Sequence, residues 1–184
     1  MSLNTRKPLP EIEAELIKFG IDNYITTGDI RLFYRLASAL PPGSQILEIG
    51  TNRGRSTRIF AMAAPDCNIV TVDKFDLWDN SLSQPENIRR LIMDSSEVAG
   101  RLLGGYDLIF IDGDHLRDGV LSDINNCIPL LSEKGIVIFH DYTGSWPGVA
   151  EAVNLYLSTG VEFERIETVE DEKDTVCFAM RRPQ

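Results

Sequence analysis

Short apolar runs alternating with helical patterns constrain this chain's fold more than any other feature. Gln45–Ile49, Ile69–Val72, Leu108–Ile111 and Ile136–Phe139 are each too short for a buried helix, are rich in β-branched residues, and stop abruptly at glycine, aspartate or histidine. A shorter run, Arg90–Met93, fits a strand between the second and third of these, and a helical pattern follows each run. Such alternation predicts an α/β fold, a doubly wound and mostly parallel sheet covered by helices on both faces. Two further β-rich runs, 161–169 and 175–182, flank the polar segment Glu170–Asp174, which suits a hairpin loop, so a seven-stranded sheet finishing with an antiparallel C-terminal strand is expected.

Before the first strand, Glu11–Phe19 and Ile30–Leu40 are helix-compatible. Thr27-Gly28-Asp29 offers a helix start and Pro41-Pro42-Gly43 a stop. The expected organisation is one domain over 1–184, with a helical preface or lid at 1–44 and the sheet core at 45–184. In the clearest helical pattern Val120, Ile124, Cys127, Ile128 and Leu131 share one face, leaving Asp118, Asp123 and Asn125 outside.

Charge narrows the partners. Lys and Arg total 18 against 28 Asp and Glu, a net charge of -10, which disfavours sequence-independent binding to a phosphate backbone. The apolar runs are too short to span a bilayer and the first residues lack a signal-peptide pattern, so neither nucleic acid nor membrane is expected, and the expected location is cytoplasmic. Cys67, Cys127 and Cys177 read as reduced core residues.

On a sheet of this kind ligands sit beyond the carboxyl ends of the strands. Those ends carry Gly50-Thr51-Asn52-Arg53-Gly54, then Asp73, then Asp94-Ser95-Ser96, then Asp112-Gly113-Asp114-His115, then His140-Asp141-Tyr142, so both histidines of the chain fall at this edge. Gly50 and Gly54 permit positive φ and close approach of backbone to a ligand. A dinucleotide-binding loop would normally show G-x-G-x-x-G, whereas this loop is G-x-x-x-G with Glu48 two residues before its first glycine. Asp73 is placed to accept from ribose hydroxyls, or is a solvated strand end. Asp94 either reads an adenine edge or caps the helix that begins near Ser95. Ser56 bonds a cofactor carboxylate or simply opens a helix. Asp112 and Asp141, on neighbouring strands, converge on a divalent cation such as Mg²⁺, or respectively hold an ammonium group and cap a turn. His115 is a candidate general base or an exposed helix-start residue. Trp78, Tyr142 and Trp146 wall an acceptor or pack beneath loops, and Arg53, Arg55 and Arg58 recognise an anionic substrate or are solvated surface cations, the second being the favoured reading.

Taken in order, Leu47-Glu48-Ile49-Gly50 with Gly54, Val72-Asp73, Phe110 to His115 and Gly135 to Tyr142 resemble the core of the class I S-adenosylmethionine-dependent methyltransferases. More narrowly, Asp-Gly-Asp-His and His-Asp-Tyr resemble the catechol and caffeoyl-CoA O-methyltransferase-like group and related small bacterial methyltransferases. The resemblance implies a Rossmann-like methyltransferase fold over roughly residues 45 to 182. It implies S-adenosyl-L-methionine as cofactor, with Glu48, Gly50 and Ser56 around its methionine part, Asp73 on the ribose and Asp112 near the amino group or a metal; Thr51, Asn52, Gly54 and Asp94 complete the expected cofactor site. It also implies Asp112 and Asp141 as metal ligands if a cation binds, with His115 and Asp141 in the catalytic roles. His115 stands where metal-dependent members commonly carry a lysine base, and Tyr142 stands where they usually carry asparagine after the second aspartate, with His140 just before it.

The expected activity is transfer of a methyl group to an oxygen of a small-molecule acceptor, with or without a metal. A homodimer is left open. Rival readings are a nicotinamide-dependent oxidoreductase, which the missing G-x-G-x-x-G opposes, and a non-catalytic cofactor-binding domain.

Overall fold

The computed structural model describes residues 6–18, 25–80, 84–142, 145–170 and 175–183. In chain order the elements are α1 (Leu9–Lys18), α2 (Thr27–Ser38), β1 (Gln45–Ile49), α3 (Arg55–Ala63), β2 (Asn68–Asp73), β3 (Ile88–Ile92), α4 (Val98–Arg101) behind a 3-10 turn at Ser95–Glu97, β4 (Tyr106–Ile111), α5 (Arg117–Cys127), β5 (Leu131–His140), α6 (Pro147–Leu157), β6 (Glu164–Glu170) and β7 (Thr175–Arg181). The seven strands form one sheet in the order β3-β2-β1-β4-β5-β7-β6. β1 to β5 pair in parallel, and β7 runs antiparallel between β5 and β6, as expected. The order reverses between β1 and β4, and that switch point places the glycine loop next to the Asp112 turn.

Strand alternation sorts the buried strand side chains into two cores. Ile46, Ile69, Leu108, Phe110, Ile138, Cys177 and Ala179 face α1, α2 and α3, where Phe33, Phe60 and Phe110 meet with ring centroids 4.8–5.7 Å apart. Leu47, Ile49, Val72, Ile109, Val137 and Phe139 face α5 and α6. The N-terminal helices therefore cover one face of the sheet. Thr26 and Asp29 start α2 with a reciprocal capping box, one residue before the predicted Thr27 start. Cys67, Cys127 and Cys177 are free and buried, as read from their apolar surroundings.

Two expectations about the elements fail. The connection from β2 to β3 contains no helix among the described residues; it crosses the sheet edge as an irregular segment tied down by side chains. Asp123, expected outside, is 2% exposed. The reason is local: α5 packs against the 3-10 turn at Ser95 and beneath the Asp114 loop, and their polar groups receive the carboxyl group that the helical pattern assigned to water.

Candidate active site

Glu48 follows the alternation of β1 onto the α3 side with Ile46 and is completely buried. Hydroxyls of Ser56 and Thr57, from the first turn of α3, and of Thr71 on β2 all donate to its carboxyl group. With the Thr71 proton committed to Glu48, Thr51 donates to Thr71 across 2.6 Å. Burial pushes the Glu48 pKa up to about 7 although the hydroxyls oppose the shift. Glu48, Thr51 and Ser56 thus form one buried knot that fixes the glycine loop from below.

The two loop glycines face protein. A Cβ on Gly50 would lie 2.0 Å from the Asp112 carbonyl oxygen, and one on Gly54 would lie 2.1 Å from the Trp78 ring. Both residues have positive φ, as does Asn52. Their missing side chains allow β1 to approach the β4 turn and the β2–β3 connection to approach α3. The backbone of Asn52 donates to Asp73 across 2.8 Å, so these two predicted residues do meet.

A cavity of about 180 Å³ opens beside this turn, lined by Gly50, Asp73, Lys74, Asp94, Gly113, Asp114, Ser122 and Asp123 among others. Of the predicted cofactor residues it gathers Gly50, Asp73 and Asp94; Glu48, Thr51, Asn52, Gly54, Ser56 and Asp112 stand around it without lining it. Asp94 takes the capping role read for it, accepting from the Ser96 backbone N–H at 2.9 Å, and it also lines the cavity. Lys74, Ser122 and Asp123 were not singled out for ligand binding. Their one sequence signal is that Gly119, Ser122 and Asp123 put small or polar residues on the start of an otherwise apolar helix face. A lining of four carboxyl groups and one lysine suits a cationic ligand rich in hydroxyl and amino groups and opposes a pyrophosphate.

Beyond Asp112 the edge becomes a cluster of acids and imidazoles. His115 Nε2 lies 2.9 Å from Asp141 Oδ2 and 3.8 Å from Asp112 Oδ1. Alternation along β5 sends His140 to the α2 side, where it is 3% exposed. Its Nδ1 sits 3.3 Å from Asp112 and 3.2 Å from Asp141, and its Nε2 3.6 Å from Asp29 at the start of α2. Burial alone would lower the His140 pKa; Asp112, then Asp141 and Asp29, reverse this and raise it to about 12. Burial likewise works against Asp141, and the two histidines outweigh it, holding that carboxyl well below its ordinary range. His115 is raised above its ordinary value, chiefly by its bond to Asp141. The sequence paired the two aspartates and both histidines with this edge. Asp29, 83 residues earlier than Asp112 in the chain, gave no signal beyond a helix start.

The aromatic residues divide. Tyr142 stacks on Phe178 with centroids 4.5 Å apart and donates to Asn154, so it packs beneath its loop. Trp78 is also buried. Trp146 is 47% exposed and its ring lies 4.6 Å from the His115 ring, at the open side of the cluster. Arg58, expected in solvent, is buried with its guanidinium 3.9 Å over Trp78. Among the described residues no helix is long and apolar enough to cross a membrane.

Residues 47–142, more than half of the chain, match the family profile described as a methyltransferase domain. An uncharacterized protein, R132, of Acanthamoeba polyphaga mimivirus is 29% identical over 125 residues, 59% of this chain and 57% of that protein, so the chain spans little more than half the length of this curated relative. Among solved structures, an O-methyltransferase from Bacillus cereus in complex with SAH matches with a TM-score of 0.62 at 16% identity, over 95% of this chain and 90% of that one. MycE, a methyltransferase of the mycinamycin biosynthetic pathway solved with Mg, SAH and mycinamycin VI, matches with a TM-score of 0.65 at 20% identity, over 96% of this chain and 55% of that one. A protein from Corynebacterium glutamicum matches with a TM-score of 0.68 at 13% identity, over 98% and 92%. These structures share the fold. The family profile over the strand ends that build the cavity and the acidic cluster goes further: this chain belongs to the methyltransferase-domain family, on a sheet of the class I methyltransferase fold.

Proposed function

We propose that the protein methylates an oxygen of a small-molecule acceptor, with His115 as general base. The observation that carries this reading is the 2.9 Å bond between His115 Nε2 and Asp141 Oδ2, at the solvent edge and directly after the cavity-lining Gly113-Asp114. S-Adenosylmethionine supplies an electrophilic methyl group: the acceptor oxygen forms a bond to that carbon as the carbon–sulfur bond breaks, its electron pair leaving on sulfur to give the neutral thioether.

The chain's own residues then have separate roles. Asp73, Asp94, Asp114 and Asp123 line the cavity with acceptors for hydroxyl and amino groups, and their charge favours a sulfonium cation. Asp141 accepts from Nε2–H of His115, which leaves the lone pair on Nδ1 to take the hydroxyl proton of the acceptor. The exposed Trp146 ring against His115 offers a flat apolar wall beside that base. Asp112 and His140 fix Asp141 from the buried side. General base catalysis contributes about 10²–10⁴-fold. The remainder comes from holding oxygen and methyl carbon in line.

A second reading has its own observation. Donor atoms of Asp112, His115 and Asp141 all lie within 4.8 Å of one another, and two carboxylates with an imidazole are a chemically suitable set for a divalent cation. A bound cation would lower the acceptor hydroxyl pKa and orient it. In that case His115 is a ligand and the base lies elsewhere.

The test is a panel of hydroxyl, carboxyl and amine acceptors with isotopically labelled methyl donor, run on wild type and His115→Ala. Transfer to hydroxyl acceptors that falls about 100-fold in the variant supports the reading. Transfer confined to amines, or a variant as fast as wild type, overturns it.

A further inference from the structure

The turn that joins β1 to α3 is an improbable shape on its own. Gly50, Asn52 and Gly54 all take positive φ, at 95°, 45° and 79°, and a left-handed non-glycine residue such as Asn52 is uncommon. The Glu48 knot holds the turn from below. From outside it is spanned at both ends by the β2–β3 connection. At one end Asp73 accepts from the Asn52 backbone N–H at 2.8 Å and from that of Phe75 at 2.9 Å.

At the other end Trp78 fills the space beside Gly54, which a methyl group there would invade. Arg58, one turn into α3, lies 3.9 Å over the Trp78 ring. Its Nη1 donates to the carbonyls of Arg53 at 2.8 Å and Gly54 at 3.2 Å, and its Nη2 donates to the carbonyl of Asp79 at 3.2 Å. Arg90 adds a second guanidinium 4.9 Å from the ring and is itself paired with Asp76. One arginine therefore binds the turn, the helix start and the connection together, with the indole as the body they close on.

We propose that Trp78, clamped by Arg58, is a positioning residue for the methyl donor: it sets the 50–54 turn in the shape that receives the cofactor. The second loop glycine serves this indole. Lys74, which lines the cavity, lies on the same seven-residue span between Asp73 and Asp79, so releasing Trp78 frees a cavity wall as well as the turn. The proposal rests on the S-adenosylmethionine reading of the cavity.

The experiment is calorimetric titration of S-adenosylhomocysteine into wild type, W78A, W78F, R58M, G54A and the double variant G54A/W78A, with urea unfolding of each. Trp78→Ala and Arg58→Met are expected to weaken binding about tenfold, with Trp78→Phe recovering most of the loss because it keeps a ring under the guanidinium. Gly54→Ala weakens binding too, and Trp78→Ala in that background strengthens it, because the ring that collides with the new methyl group is gone. A purely structural role lowers the urea midpoint without this reciprocal change in affinity. If Trp78→Ala does not fold, W78F and R58M decide: unchanged affinity in both overturns the proposal. So does G54A/W78A binding no more tightly than G54A. Absence of binding by wild type would overturn the cofactor reading itself, which is a separate failure.

Discussion

His115 Nε2 and Asp141 Oδ2 lie 2.9 Å apart because Asp141 leaves β5 in a left-handed conformation, with φ at 52°. Aspartate and asparagine tolerate that backbone better than other non-glycine residues, so Asp141→Asn removes the charge while keeping the turn. Asp141→Asn should lower turnover about 10²–10³-fold and leave S-adenosylhomocysteine affinity nearly unchanged, since Asp141 does not line the cavity. Steady-state kinetics beside calorimetry separates the two effects. A matching loss of affinity would place Asp141 in cofactor binding.

The same bond predicts a titration. The chain has two histidines, so imidazole proton signals are easily assigned. In metal-free protein His115 should titrate above 6.5, and Asp141→Asn, which removes the largest cause of the rise, should bring it down. A His115 that titrates below 6.5 in wild type contradicts the bonded geometry.

Glu48 predicts a pH-dependent stability. Its folded pKa of about 7 is raised from 4.5, so its contribution is fully present below 4.5 and is lost as pH rises through about 7. Glu48→Gln should therefore match wild type near the acid end of that window and exceed it at pH above 7, by at most about 3 kcal/mol. Urea unfolding across this range reads the difference directly. A constant difference between the two proteins would show that Glu48 does not change its proton on folding.

The cation reading predicts binding that needs no acceptor. Mn²⁺ titrated into the protein and followed by electron paramagnetic resonance should be captured by wild type and lost in Asp112→Asn and Asp141→Asn. Wild type that leaves Mn²⁺ free at millimolar concentration eliminates that reading and leaves His115 as the base.

Gly50→Ala combines a collision with the Asp112 carbonyl and a φ of 95°, so it should cost about 2–4 kcal/mol of stability. Gly43, also at positive φ but with open space around it, is the control: alanine there should cost only about 1 kcal/mol. Thermal unfolding of both variants tests whether close approach or conformation dominates at the loop.

The strands, their order of use and the polar edge were legible because period-two apolar runs and abrupt polar stops are local signals. Which face each strand-end side chain takes was not. Glu48 was expected to face the cofactor, yet counting alternate residues back to Ile46 places it beneath α3. Asp123 looked solvated because a helical pattern says which residues point away from one core, and says nothing about a neighbouring loop that arrives to meet them. Arg58 looked exposed for the same reason. Its partners, Trp78 and Asp79, come from a connection 20 residues away whose path no propensity specifies. The glycines were correctly read as sites of close approach, but the approaching atoms belong to the chain itself.

Asp29 extends the acidic cluster into the N-terminal helices. A chain cut down to residues 45–184 would keep the whole sheet, the cavity and the acidic cluster, and on a diagram it would look complete. It would also strip the apolar floor from Phe60 and Phe110 and remove the carboxylate that meets His140 on the α2 face of the sheet. The imidazole would then face solvent or a void on that flank, and its hold on Asp112 and Asp141 would slacken. We expect such a fragment to lose stability and methyl transfer together, because the upstream helices cover one face of the sheet and also supply the counter-charge on which the distant edge is balanced.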